Sequence, residues 1–229
     1  MDNLDSMSQE DAKRAAGEKG ATFIENGMIV GLGTGTTAAY FIEALIQRRL
    51  QIQAVASSRH SADLAKKGGI PVLDINAVPR IDLTVDGADE IDSKKRMIKG
   101  GGGAHVREKI LACASGEMIV IVDESKVVSS IGRAKLPVEI LYYGSPATRM
   151  RIEEKGYEGR WRMSPDGTLF LTENGNLIFD IHFSSPPSHP EHVQEQLIHI
   201  PGVIDTGFFF NIAGRVIVGY SNGTTKIIN

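Results

Sequence analysis

Along the first half of the chain, apolar and polar positions repeat one unit: a short apolar run, a glycine-bearing or polar turn, an amphipathic helical stretch, and another apolar run. Residues 8–25 place Ala12, Ala15, Ala16, Phe23 and Ile24 at helical spacing, with Ser8 in the N-cap position, Asp11 three residues on, and Asn26-Gly27 as the stop. MIVGL (28–32) predicts a buried strand and TTAAYFIEALIQRRL (36–50) an amphipathic helix. IQAVA (52–56) predicts a strand, 59–67 a helix closed by Gly68-Gly69, and 70–73 a strand. IDLTVDGADEID (81–92) reads as a strand ending in an acidic turn. Residues 98–114 read as a glycine run feeding a helix, and GEMIVIVDESK (116–126) as a further buried strand. Such succession builds a parallel sheet with helical crossovers, whose ligands bind outside the carboxyl ends of the strands. This chain keeps its polar residues at those ends.

The texture changes at IGRAKLP (131–137). From there to about 206, short strand-like runs (VEILYY, WRM, LFLT, NLIFDIHF) alternate with helices expected at 145–155 and 190–199. Residues 207–229 are strand-like again, with Asn222-Gly223 as a turn, and can pair with either part. The expected fold is α/β: a Rossmann-like, mostly parallel sheet with flanking helices, plus a smaller α+β domain. Residues 1–132 with 207–229 form the first domain in this reading, and 133–206 the second.

Composition narrows the function classes. With 41% hydrophobic and 23% charged residues, the chain has the balance of a folded globular protein. A net charge of -3 disfavours non-specific binding to nucleic acid or anionic membranes. Its one cysteine, Cys113, excludes a disulfide framework and a cysteine zinc site; at the apolar side of the 104–114 helix it is expected as a buried core thiol. No apolar run approaches the ~18 residues of a membrane span, and the first ten residues are acidic and polar. A cytoplasmic location is expected. The 25 glycines exceed the ordinary share of about 7%, and seven of them fall in 31–35 and 100–103.

Three segments can carry chemistry. GLGTGTT (31–37) places glycines and threonine hydroxyls before a helix N-terminus, which suits a phosphate; a tight strand–helix connection is the alternative. It matches neither G-x-G-x-x-G nor a Walker loop, and Ala56-Ser57-Ser58 stands where a dinucleotide site wants an acid. In VDGADE, Asp86 and Asp89 flank a glycine turn and can orient hydroxyls, hold a metal or exchange protons; a solvated acidic turn is the alternative. In KGGGGAHVREK (99–109), Lys99 precedes four glycines that are costly to order. Glu108 in the helix behind them can serve as a general base, because burial raises a carboxylate pKa, or it can pair with a surface cation. Lys126 ends the IVIVDES strand, where it meets a phosphate or solvent. The six histidines show no H-x-x-x-H or H-E-x-x-H spacing, and His189 and His192 read as helix surface.

As an ordered set, these motifs resemble type A ribose-5-phosphate isomerases. GLGTGTTA, the A-S-S run at 56–58 with Gly69-Ile70-Pro71, DLTVDGADEID, IKGGGGAHVREKI, VDESK with the later LPVE, and IPGVIDTGFF follow the family's order over nearly the whole chain. The resemblance implies interconversion of ribose 5-phosphate and ribulose 5-phosphate without metal, nicotinamide or flavin. It implies a substrate loop at Thr34, Gly35, Thr36 and Thr37, and a second at Asp86, Gly87, Ala88 and Asp89, with both carboxylates holding sugar hydroxyls. Lys99, Gly100, Gly101 and Gly102 would form a third. Glu108 matches the family's catalytic base, Lys126 its distal substrate contact, and Lys13 a looser phosphate contact; Asp86, Asp89 and Lys99 share the proton and oxyanion work. His105 stands where an apolar residue is common and is not expected to be catalytic. A homodimer or homotetramer, partly through the smaller domain, is implied as well. A sugar-phosphate sensor on the same fold and a nucleotide-binding oxidoreductase are the competing classes. The first could lose Lys99 or Glu108 and usually carries a DNA-binding module, and the second needs the acid that is missing after the second strand.

Overall fold

The computed structural model describes residues 2–229, with side chains from Gln9 onward. In chain order the elements are α1 (Asp2–Ala21), β1 (Ile29–Leu32), α2 (Thr36–Arg48), β2 (Gln53–Ala56), α3 (Arg59–Lys67), β3 (Leu83–Asp86), β4 (Glu90–Ile91), β5 (Met97–Ile98) and α4 (His105–Cys113). They continue as β6 (Met118–Asp123), β7 (Leu136–Ile140), α5 (Ser145–Glu154), β8 (Gly159–Trp161), β9 (Leu177–Ile181), α6 (Pro190–Ile198), β10 (Val203–Thr206), β11 (Phe208–Phe209), β12 (Ala213–Gly219) and β13 (Thr225–Ile228). Two compact units result: 1–88 with 107–127 and 211–229, and 89–106 with 128–210.

The first unit is built on one six-stranded sheet of order β13-β12-β6-β3-β1-β2. Every neighbouring pair is parallel except the terminal hairpin of β12 and β13. The hairpin adds the last two strands to this sheet, whereas the start of the 207–229 segment, with β11, pairs in the second unit. All six residues of β6 (MIVIVD) are buried, as expected of a strand inside a parallel sheet. Helix α2 turns Ala38, Phe41, Ile42, Ala44 and Leu45 inward at helical spacing. Its core partners include Val30, Leu32, Val85, Ile119 and Ile121 from the strands. On α1, the buried residues Ala12, Ala16, Gly17 and Gly20 present a small-residue face.

The second unit holds two antiparallel sheets, β10-β7-β9-β8 and β11-β5-β4. Its core joins Leu136, Val138 and Ile140 of β7 with Phe179 and Ile181 of β9, packed with Ile152 of α5 and Val193 and Leu197 of α6. The α/β sheet with flanking helices and the smaller α+β portion are thus both present.

Several boundaries differ from the sequence expectation. Helix α1 starts at Asp2, because nothing in the leader breaks it, so Ser8 lies inside the helix and not at its cap. It ends at Ala21, leaving Phe23 and Ile24 in the following turn. Residues 70–73 form only a single bridge, Ala54 to Val72, since Pro71 has no N–H to extend a ladder. The expected strand 81–92 breaks after Asp86, and its remainder pairs with β5 as a short hairpin. Because β5 pairs in turn with β11, residues 89–106 join the second compact unit, where the sequence reading had kept them in the first. Cys113 is exposed and is not a core thiol. In α4 the buried positions are His105, Glu108, Leu111 and Ala112, and this stripe turns Ile110 and Cys113 outward. The buried side of the helix is thus shared by His105 and Glu108 with Leu111 and Ala112, and Cys113 falls outside it.

Candidate active site

In the first unit the strand order reverses at β1, which has β2 on one side and β3 on the other. At such a switch point, the loops leaving the two central strands diverge and open a crevice beyond their carboxyl ends. Here Leu32 of β1 lies opposite Val85 of β3, so the glycine–threonine loop and Asp86 leave the sheet side by side.

Asp86 is 1% exposed, and its Oδ1 accepts the backbone N–H of Thr34 at 3.1 Å and that of Gly87 at 2.7 Å. The close approach requires glycine at 33: a Cβ there would stand 2.0 Å from Asp86 Oδ1. The loop is braced from its other side by the Ser57-Ser58 turn. Thr34 Oγ1 lies 2.8 Å from Ser58 Oγ, which also caps α3 by accepting the Ser61 N–H at 3.2 Å. The Ser61 hydroxyl donates to the Gly33 carbonyl at 2.6 Å. Gly35, with φ +98°, occupies the N-cap of α2 and offers no side-chain cap to that helix. Thr36 and Thr37 form its first turn, where a helix favours an anion.

Glu108 of α4 is 3% exposed, on the same buried stripe as Leu111. Lys126 is half-buried in the turn after β6. That turn is closed by Asp123, which accepts the Ser125 N–H at 3.0 Å and the Ser125 hydroxyl. Lys13 is 2.9 Å from Glu10 on its own helix.

The second unit carries Asp89 and the glycine run. Asp89 Oδ2 accepts the Gly101 N–H at 2.7 Å, and the Asp89 N–H donates to Ile98 O at 2.8 Å. Gly100 O accepts the Gly103 N–H at 2.9 Å, closing a turn in which Gly100 and Gly103 both have positive φ. Lys99 is 3% exposed, its N–H donates to Gly207 O at 2.9 Å, and its ammonium lies 5.5 Å from the centroid of Phe209. His105 is fully buried against Gly100, whose missing Cβ would come within 2.8 Å of the imidazole Nδ1.

Asp86 and Asp89, three residues apart in sequence, thus do different local work: the first holds the Thr34 loop and the second holds the glycine run. Sequence reasoning missed the polar residues behind these loops. Ser61 was hidden in an ordinary helix start. Arg162 donates to the carbonyls of Gly100 at 2.8 Å and Gly101 at 3.1 Å, and to Asp180 through Nε at 3.0 Å and Nη2 at 2.5 Å. Burial pushes the Asp180 carboxyl up, but the hydrogen bonds and charges of Arg162 and Lys135 outweigh it and hold the group below the usual carboxylate range. The available signal was a lone acid inside the apolar run NLIFDIHF and a lone arginine in WRM.

Among the described residues, no group of three or more His, Cys, Asp or Glu side chains is arranged to hold a metal ion, and no helix is long and apolar enough to cross a membrane. His192 lies exposed on α6, as expected of helix surface.

Residues 53–223 match the family model for ribose 5-phosphate isomerase A (phosphoriboisomerase A). A ribose-5-phosphate isomerase A of Protochlamydia amoebophila is 49% identical over 220 residues, 95% of either chain. One from Bacillus mycoides is 44% identical, covering 92% of this chain and 96% of its own. Among solved structures, the ribose 5-phosphate isomerase A of Neisseria gonorrhoeae superposes with a TM-score of 0.89 at 36% identity, over 96% of both chains. A D-ribose-5-phosphate isomerase in complex with phospho-erythronic acid reaches a TM-score of 0.88, also at 36% identity, over 95% of this chain and 97% of its own. With the family model spanning most of its length and relatives this similar over nearly all of it, the chain belongs to the ribose-5-phosphate isomerase A family.

Proposed function

We propose that this protein interconverts D-ribose 5-phosphate and D-ribulose 5-phosphate through an enediolate, with Glu108 as the base. The observation that carries the reading is a carboxylate only 3% exposed, on α4, the helix that follows the glycine run in the chain, in a protein similar over 95% of its length to a named isomerase of this kind. Glu108 removes the proton from C2 of the open-chain aldose, the electron pair moves to the carbonyl oxygen, and the same proton returns to C1 while a hydroxyl proton passes from O2 to O1. Thr34 to Thr37 take the phosphate at the uncapped start of α2, with Lys126 as a further cation for the substrate. Asp86, Gly87, Ala88 and Asp89 hold sugar hydroxyls. Lys99, with Gly100 to Gly102, meets the developing oxyanion, where a single aimed donor is typically worth about 3 kcal/mol.

The deciding experiment follows ketose formation from ribose 5-phosphate by the wild type and by Glu108→Gln. The variant is expected to keep its fold and its substrate affinity and to lose kcat by roughly a hundredfold or more. Turnover near wild type would overturn the base assignment.

The smaller α+β portion is also the part we propose meets another copy of the chain. Its surface presents Tyr142, Tyr143, Met150, Met163 and Leu171, each more than half exposed. Light scattering is expected to show a homodimer or homotetramer that Tyr143→Glu weakens; a monomer in the wild type would overturn this reading.

A further inference from the structure

Four consecutive glycines have more backbone freedom than any other four residues, yet the Gly100–Gly101 peptide is fixed at both ends. A trans peptide is planar, with its carbonyl oxygen and amide hydrogen pointing in opposite directions. In this one plane, Gly100 O accepts from Arg162 Nη1 at 2.8 Å and the Gly101 N–H donates to Asp89 Oδ2 at 2.7 Å. Rotating the peptide breaks both bonds together. The orientation of the Asp89 carboxylate is therefore coupled to Arg162, although the two side chains work on opposite ends of the peptide.

Arg162 is itself immobilised. It is 9% exposed, Asp180 takes two of its donors, and Phe170 lies with its ring centroid 5.8 Å from the guanidinium. Asp180, 5% exposed, is held in turn by Lys135 at 2.8 Å. The planar fork of arginine is what allows one side chain to grip a carboxylate and two carbonyls at once; a lysine offers a single point of charge.

We propose that Arg162, fixed by Asp180, is a positioning residue of the isomerase: it sets the plane of the Gly100–Gly101 peptide and, through it, Asp89 and the start of the loop at Lys99. The proposal rests on the isomerase reading above. It is distinct from a packing role, because a packing residue would affect how much protein is folded and not how well each folded molecule works.

The test compares wild type, Arg162→Lys and the milder Asp180→Asn. Amide hydrogen exchange is read over 98–104, and ribose 5-phosphate kinetics are measured well below each variant's unfolding midpoint. We expect faster exchange confined to 98–104 and a kcat lowered roughly 10- to 100-fold, the range that small misplacements cost, with a smaller change in KM. Should Arg162→Lys fail to fold, Asp180→Asn carries the same prediction. Unchanged loop exchange overturns the proposal whatever the rates do, and so does faster exchange with kcat within twofold of wild type. If the wild type itself does not turn over ribose 5-phosphate, the isomerase reading fails, and the exchange comparison still decides whether Arg162 holds the loop.

Discussion

Replacing Gly33 by alanine adds one methyl group, and the structure says what it meets. The new Cβ would stand 2.0 Å from Asp86 Oδ1 and 2.1 Å from its Cγ, more than an ångström inside ordinary 3.4 Å contact. Asp86 is buried at the end of β3 and cannot swing aside without giving up the N–H groups of Thr34 and Gly87. Each hydrogen bond to a charged acceptor is worth about 1.5–3 kcal/mol, so losing both costs about 3–6 kcal/mol, a large part of a typical ~5–15 kcal/mol stability. Gly35→Ala is the control. Its φ of +98° with ψ 179° lies in a region essentially reserved for glycine and imposes strain of about 1–3 kcal/mol, but nothing lies within 4 Å of the added Cβ. Urea unfolding followed by circular dichroism should rank Gly33→Ala well below Gly35→Ala. In an Asp86→Gly background the Gly33→Ala penalty should shrink by more than about 1 kcal/mol, because the clashing side chain is gone down to its Cβ, which alone would stand 2.5 Å from the added methyl. The same penalty in both backgrounds, or a smaller one than Gly35→Ala gives, would refute the reasoning.

Two further outcomes are expected. Ser58→Ala removes the cap of α3, at a cost of about 1 kcal/mol, and the brace on Thr34; KM for ribose 5-phosphate should rise more than kcat falls, and an unaltered KM would argue against a substrate role for the 34–37 loop. Asp180 has its folded pKa held down, so its contribution to stability is present above the unfolded value of about 3.9 and is lost as pH falls through the folded value. Thermal midpoints measured from pH 6 down to pH 3 should fall less steeply in Asp180→Asn than in wild type; parallel curves would count against the ion pair.

The parallel part of the fold was legible because its strands are buried on both faces and its helices are amphipathic, so both periods stand out in the pattern of residues. The loops between them were legible through their glycines. What stayed hidden depends on long-range pairing. Nothing local shows that β4 and β5 leave the first sheet to pair with β11, or that 70–73 yields only one bridge. Cys113 went astray because α4 does not bury apolar residues alone: the carboxylate of Glu108 and the ring of His105 take buried positions beside Leu111 and Ala112, and Ile110 is left 53% exposed. Arg162 and Asp180 were invisible as a pair, being 18 residues apart on neighbouring stretches of an antiparallel sheet.

The way the chain closes its larger sheet has a consequence for assembly. Strand β12 is the parallel neighbour of β6, and the segment that supplies it, 211–229, follows the entire second unit in sequence. Until it docks, β6 presents an open hydrogen-bonding edge along the apolar run MIVIV, the kind of strand that recruits other chains. Such long-range closure is slow compared with helix or hairpin formation. A nascent or refolding chain therefore passes through a stage in which everything before residue 211 has been made and the sheet is still adhesive. Refolding yield should be limited by chain concentration at that stage, and β12 acts as the chain's own plug against self-association.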